Sequence, residues 1–173
     1  VPWDSTWAQD LMRLAAKHNV PLMFMMETPN PESYQALDRA LQQNPNTRFI
    51  MNHQNQLKDR IGPTPEARAF SGEPQQLAAL LEKYPNLFID LTIGRDIVIR
   101  TASDRQIPEN WKNLYEKYSD RIIIGVDAEM KEGVEKYYLS EVGWIRSWLS
   151  ELSSDTAKKL AYENIERILS LKP

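Results

Sequence analysis

The chain has 173 residues, enough for one hydrophobic core or for a large part of a bigger domain. Hydrophobic residues make up 42% and charged residues 26% of the chain, and the net charge is -3, so no basic surface points to nucleic acid as a partner. The absence of cysteine excludes disulfide frameworks, cysteine-ligated zinc sites and cysteine nucleophiles, and leaves the cellular compartment open. No run approaches the roughly 18 apolar residues of a membrane span.

Apolar runs and helical repeats alternate along the chain. The first helix is predicted over Asp4–Lys17, with an apolar stripe of Trp7, Leu11, Leu14, Ala15 and His18. Prolines open three of the later helices, at Pro31, after Pro74 and at Pro108, and two further helices close the chain. The predicted strands are Val20–Met26, Phe49–Asn52, Leu87–Leu91 and Ile122–Val126.

This alternation predicts an α/β fold with parallel strands joined by right-handed crossovers. The helix-to-strand links are short, whereas the strand-to-helix links over 54–73 and 92–107 are long. In parallel α/β folds the strand-to-helix loops lie on the side that binds substrate. Two architectures fit the residue pattern: an open four-stranded sheet, or half of a barrel that needs eight strands to close.

Two of the predicted strands end on residues with functional chemistry. His53 follows the second strand and is a candidate metal ligand or general base, or else a strand-end histidine bonded to a carbonyl. Asp127 follows the fourth strand and is a candidate metal ligand that also accepts a proton from water, or else a helix N-cap. Both would lie on the substrate-binding side of the sheet.

Further candidates lie near the same strand ends. Glu27 ends the first strand as a third ligand, a substrate hydrogen-bond acceptor or a turn cap, and Asn52 precedes His53. Arg95 lies in a long loop, where its charge could hold an anionic substrate. Asp90 lies within the third predicted strand, either at the polar end of a barrel interior or bonded to neighbouring backbone. We therefore treat Glu27, Asn52 and Arg95 as candidate substrate-binding residues.

In their order and spacing, five segments resemble the C-terminal half of the amidohydrolase superfamily, whose members are metal-dependent hydrolases and related decarboxylases with a TIM-barrel fold. The resemblance implies that residues 1–173 are a single domain or the C-terminal half of a (β/α)8 barrel. It also implies that His53 matches a histidine of a late barrel strand, and that Asp127 matches the final-strand aspartate that binds metal or acts as base. The segments are Val20–Phe24 leading to Glu27, Phe49–His53, Tyr84–Leu91, Arg121–Ala128 and Asn164–Leu169.

One departure from this family bears on the metal. Met25 stands where the family usually has a histidine, and methionine is a poor ligand for a hard divalent ion. The family's His-x-His pair belongs to its first strand, which has no counterpart in this chain. The chain opens directly on a helix, so we expect a preceding portion to belong to the fold.

The resemblance implies a metal-dependent hydrolase acting on a C–N or C–O bond of a small molecule, or a related decarboxylase. The implied cofactor is a divalent metal, with zinc first and loss of the metal as the alternative. Two other hypotheses stay open: a non-catalytic binding protein with a degenerate metal site, and a metal-free enzyme using Glu27 and Asp127 as paired carboxylates. Because a half barrel has open sheet edges, we expect it to associate with an upstream barrel half or a second copy.

Overall fold

The computed structural model describes residues 2–25, 31–52, 74–92, 106–126 and 134–170. Within these ranges, strands and helices alternate in the predicted order. The strands are Leu22–Phe24 (β1), Phe49–Met51 (β2), Leu87–Asp90 (β3) and Ile122–Ile123 (β4). The helices are Thr6–Lys17 (α1), Pro31–Gln43 (α2), Pro74–Lys83 (α3), Glu109–Lys117 (α4), Val134–Leu149 (α5), Ser154–Lys158 (α6) and Asn164–Ile168 (α7), with a π-helical turn over Lys159–Glu163 between the last two.

The four strands form one parallel sheet in the order β1-β2-β3-β4. The parallel α/β fold class is therefore confirmed. The paired strands are shorter than the predicted apolar runs, because apolar residues continue past the paired ladder where the chain is still buried. Leu91, for example, follows β3 and is only 3% exposed.

Helices α1 to α5 pack on one face of the sheet, which we call the outer face. Strand side chains at alternate positions, such as Phe49 and Met51, share one large cluster with apolar side chains of α1 to α5. A doubly wound sheet has helices on both faces, whereas a TIM barrel has them only outside. The arrangement is that of half a barrel.

The opposite, inner face of the sheet carries a smaller apolar cluster. Ile50, Phe88 and Ile123 project from three strands and pack with Ile168 of α7, which is fully buried. The segment 154–168 therefore contacts both faces, since Leu160 belongs to the outer cluster. Arg48, which precedes β2, donates to the carbonyl of Arg167 in α7 at 3.5 Å, so this helix is attached near the amino end of the sheet.

The stripe predicted for the first helix is largely wrong. Trp7 is 62% exposed and Leu14 54%, whereas Ala8 and Met12 are buried. The helix begins as predicted, with the Ser5 side chain accepting from the amide of Ala8. The pattern selected a different side of the helix from the one that is buried, which carries Ala8, Met12 and Ala15. Leu11 and His18 are also exposed, and Ala15 of the predicted stripe is buried.

The sheet ends at β1, which has no second strand neighbour among the described residues. Val20 and Met23 are more than half exposed beside it. We use the name α1–β1 side for Trp7, Leu11, Leu14 and Val20. None of the described helices is long and apolar enough to cross a membrane.

At the amino end of the sheet, side chains donate hydrogen bonds to backbone carbonyls of neighbouring segments. The amide of Asn86 donates to the carbonyls of Leu41, Asn44 and Thr47 at 2.9 to 3.2 Å, and so fixes the link between α2 and β2. The amide of Asn164 donates to the carbonyls of Ser119 and Ile122 at 2.6 and 2.7 Å. Arg121 donates to the carbonyls of Leu81 and Tyr84. These bonds add side-chain donors to backbone carbonyls and tie together the segments that precede the strands.

Candidate functional site

The carboxyl ends of the four parallel strands lie along one edge of the sheet. Met25 follows β1, Asn52 follows β2, Asp90 ends β3 and Gly125 follows β4. Asn52 is half-buried directly after the strand, where the sequence predicted a substrate-binding residue. This edge is the substrate-binding side of parallel α/β folds.

The other predicted site residues lie outside the described ranges: His53, Asp127, Glu27 and Arg95. The sequence nevertheless connects two of them to described neighbours. His53 is the residue after Asn52, and Asp127 comes two residues after Gly125. The assignment of these four residues to catalysis, metal or substrate stays a prediction.

Asp90 is a buried carboxylate on the inner face of this edge. It is 4% exposed and pairs in register with Ile123 of the inner cluster. Its Oδ1 accepts hydrogen bonds from the backbone N of Thr92 at 3.1 Å and from the Thr92 hydroxyl at 2.7 Å. Hydrogen bonds to a carboxylate are worth about 1.5 to 3 kcal/mol each, so Asp90 holds the chain firmly where it leaves β3.

Gly125 brings the end of β4 against this pair. A Cβ added to Gly125 would lie 2.5 Å from the Thr92 hydroxyl oxygen and 3.7 Å from Asp90 Oδ1. The backbone of Gly125 is outside the left-handed region, so space and not conformation requires glycine here. The ends of β3 and β4 therefore approach more closely than any larger residue would allow.

Thr92 and Gly125 have a role that the sequence reading did not assign. Two local signals were available. An Asp followed two residues later by Thr is typical of a turn in which the side chain bonds to the backbone. A glycine within an apolar strand run indicates a close backbone or side-chain approach.

Met25 is 38% exposed at the carboxyl end of β1. Met23 pairs with Ile50 of the inner cluster, and strand side chains alternate, so Met25 belongs to the same inner face. A thioether on this face does not supply a ligand that a hard divalent ion prefers. Within the described ranges, no three histidine or carboxylate side chains come together to hold a metal ion. The described side chains alone therefore do not fit a catalytic zinc site, which uses three protein ligands.

Comparison with known families identifies the class of protein. The family model for amidohydrolases matches residues 2–171. The chain therefore belongs to the amidohydrolase family, as the residue pattern predicted. No curated protein matches the sequence significantly.

Solved structures with the same fold are distant in sequence. A TIM-barrel protein from Bordetella bronchiseptica has a TM-score of 0.63 and 16% identity, over 98% of this chain and 52% of that one. A dihydroxybenzoic acid decarboxylase from Polaromonas sp. JS666, with bound manganese and the inhibitor 2-nitroresorcinol, has a TM-score of 0.54 and 13% identity, over 99% and 56%. An amidohydrolase from Burkholderia multivorans with bound zinc has a TM-score of 0.53 and 11% identity, over 98% and 59%.

The present chain thus spans a little over half the length of each of these structures. This partial coverage agrees with the sheet itself, because its four described strands are half of the eight strands of a TIM barrel. The predicted partial barrel is confirmed.

Proposed function

We propose that this chain is the C-terminal half of a barrel enzyme that hydrolyses a C–N or C–O bond of a small molecule, or carries out a related decarboxylation. The observation that supports the proposal most strongly is the amidohydrolase match over residues 2–171. The decarboxylase among the structural neighbours keeps both reaction types open.

The proposed roles follow from side-chain chemistry at the carboxyl edge. Asp127 is the general base that accepts a proton from the attacking water, a role that a carboxylate can take. His53 stabilises the developing charge or binds the metal. Glu27 accepts a hydrogen bond from the substrate, and the Asn52 amide donates or accepts one. Arg95 pairs with an anionic group of the substrate.

The proposed cofactor is a divalent metal held in part by His53 and Asp127. The zinc and manganese in two structural neighbours support a divalent metal and leave its identity open, with zinc as our first choice. Such an ion would polarise the substrate or a bound water. Since Met25 supplies no suitable ligand, the remaining ligands would come from the other half of the barrel.

We further propose that residues 1–173 fold as one unit whose β1 edge is covered in the working protein. An upstream barrel half is our first choice of partner and a second copy is the alternative. The exposed α1–β1 side supports this proposal, because an unpaired strand edge beside exposed apolar side chains favours association. A monodisperse monomer in sedimentation, with a single cooperative melt, would contradict the need for a partner at the β1 edge.

The experiment that tests the function uses the protein with its barrel complete. Turnover is measured with zinc or manganese on a panel of amides, lactones and dihydroxybenzoic acids, for the wild type and Asp127→Asn. We expect Asp127→Asn to lose at least about a hundredfold in kcat, as a removed general base typically does. Asp120→Asn is the matched control, because Asp120 precedes the same strand at its amino end and should leave kcat unchanged.

Each alternative has its own outcome in this experiment. Turnover by Asp127→Asn within a few-fold of wild type would overturn the proposed role of that residue. Activity unchanged by a chelator would instead support the metal-free acid/base enzyme. Protein that binds neither metal and turns over nothing in the panel would fit the non-catalytic binding protein.

A further inference from the structure

We propose that Asp90 and Thr92 are positioning residues, which together with Gly125 set the place of the carboxyl end of β4, two residues before the proposed base Asp127 in the sequence. This inference rests on the proposed role of Asp127 and deepens it. It starts from the contact between Thr92 and Gly125, which joins the ends of two neighbouring strands.

The first step is the anchoring of Thr92. Its backbone N and its hydroxyl both donate to Asp90 Oδ1, at 3.1 and 2.7 Å. Asp90 itself is buried at 4% exposure and its backbone is paired in the sheet opposite Ile123. The Thr92 hydroxyl therefore cannot move away without breaking a hydrogen bond to a buried carboxylate, which is costly.

The second step is the contact with β4. Because a Cβ on Gly125 would lie 2.5 Å from the anchored hydroxyl oxygen, the backbone at Gly125 rests directly against Thr92. The amide of Leu91 also donates to the carbonyl of Ile123 at 2.9 Å, so the strands stay paired up to this point. The carboxyl end of β4 thus has a fixed distance from β3.

The third step is the distance along the chain. Only Val126 separates Gly125 from Asp127. A displaced Gly125 would therefore shift the start of the segment that carries the proposed base. Displacement by about 1 Å at a reacting group can cost about a hundredfold in rate, so such an anchor has a functional consequence.

The test compares variants of Thr92 in the protein with its barrel complete. Thr92→Val keeps the shape and removes the hydroxyl, whereas Thr92→Ser keeps the hydroxyl. The matched control is Thr156→Val, because the hydroxyl of Thr156 likewise donates to a carboxylate, that of Glu116, at 2.6 Å. Two quantities are measured: amide hydrogen exchange over residues 124–126 and the Kd for Zn²⁺ and Mn²⁺ by calorimetry.

We expect Thr92→Val to speed exchange over residues 124–126 and to weaken metal binding, each by about tenfold. Thr92→Ser should stay within about twofold of wild type for both. Thr156→Val should lower the melting temperature without changing either quantity, because its hydrogen bond lies away from the strand ends. An effect of Thr156→Val equal to that of Thr92→Val would overturn the proposal, since it would mean general destabilisation.

A second pair of variants tests the contact itself. Gly125→Ala should speed exchange over residues 124–126, because its methyl group would overlap the Thr92 hydroxyl. Adding Thr92→Ala removes that oxygen and leaves Asp90 Oδ1 at 3.7 Å and Thr92 Cβ at 3.8 Å, which are ordinary contacts. Because Thr92→Ala alone loses the anchor, the double variant should speed exchange by less than the product of the factors measured for Gly125→Ala and Thr92→Ala. Two factors that simply multiply in the double variant would overturn the proposal, since the contact would then carry no coupling.

The outcomes separate this inference from the proposed function. If the wild type binds metal and Thr92→Val leaves both the Kd and the exchange unchanged, the positioning role fails and the proposed metal site stands. If the wild type binds neither metal, the proposed metal site fails. The exchange measurements then decide the positioning role by themselves.

Discussion

At the amino end of the sheet, buried side chains donate hydrogen bonds to backbone carbonyls, whereas at the carboxyl end a buried carboxylate accepts them. Asn86 and Asn164 each bind two or more carbonyls of the links that precede the strands. Asp90 instead binds the hydroxyl and amide of Thr92 beside Gly125. The amino end thus joins chain segments to one another, whereas the carboxyl end places polar groups on the inner face.

This difference indicates where stability and function are separated in the fold. In TIM barrels the carboxyl ends of the strands carry catalysis and the opposite ends carry stability. Changes at the amino end should therefore lower the free energy of unfolding without altering ligand binding by the protein that stays folded. The following predictions test that separation, from the largest expected effect to the smallest.

Ile168→Ala should have the largest effect. Ile168 is fully buried against Ile50, Phe88 and Ile123 at the inner face, so the truncation leaves a cavity. We expect the free energy of unfolding to fall by about 3 kcal/mol, measured by urea denaturation. Leu169→Ala is the control, because Leu169 is 46% exposed and its loss should cost less than about 0.5 kcal/mol. A changed metal Kd for folded Ile168→Ala would contradict the separation of stability from ligand binding.

Asn164→Ala should cost somewhat less. The amide of Asn164 is 1% exposed and satisfies the carbonyls of Ser119 and Ile122, which the variant would leave buried without this donor. We expect a loss of about 2 kcal/mol in urea denaturation, because an orphaned buried acceptor is costly. Asn44→Ala removes a single hydrogen bond to the carbonyl of Ala40 at a half-buried helix end and should cost about half as much or less. Equal losses for the two variants would contradict this reading of Asn164.

Much of the fold could be predicted from the sequence, since the order of apolar runs determines the order of elements. Pro31, Pro74 and Pro108 marked helix starts to within one residue, because proline is tolerated only in the first helical turn. The face of α1 could not be predicted in the same way. Trp7 and Leu14 have the periodicity of a buried stripe but are exposed. Periodicity marks an apolar side of a helix and does not show whether that side packs on this sheet.

Less of the candidate site could be predicted from the sequence. The contact between Thr92 and Gly125 joins residues far apart in the chain, and it depends on how closely two strand ends approach. The two alternatives predicted for Asp90 are both observed, since it lies on the inner face and also accepts a hydrogen bond from the neighbouring backbone. His53 and Asp127 stay predictions, because their side chains lie outside the described ranges.

The smallest expected effect concerns a second carboxylate with hydroxyl donors, Glu116, which lies away from the strand ends. Burial raises the pKa of the Glu116 carboxyl, but hydrogen bonds from the Ser153 amide and from the hydroxyls of Thr156 and Ser153 outweigh it. The pKa is therefore below its ordinary value of 4.5. A carboxyl group with a depressed pKa stabilises the fold above pH 4.5, and this contribution is lost as the pH falls through the folded-state pKa.

Glu116→Gln should consequently lose at most about 1 kcal/mol of stability near pH 7, because the group is partly exposed to solvent. The difference between wild type and variant should shrink as the pH falls below about 4.5, when protonation removes the advantage of the wild-type carboxylate. Urea denaturation from pH 7 to pH 3 measures it, with Glu163→Gln at an exposed position as the control. Glu116 and Asp90 both accept a hydrogen bond from a threonine hydroxyl. Faster amide exchange over residues 124–126 in Glu116→Gln would therefore show that losing either bond destabilises the whole fold. No change there would leave the effect on β4 specific to Asp90 and its contact with the strand end.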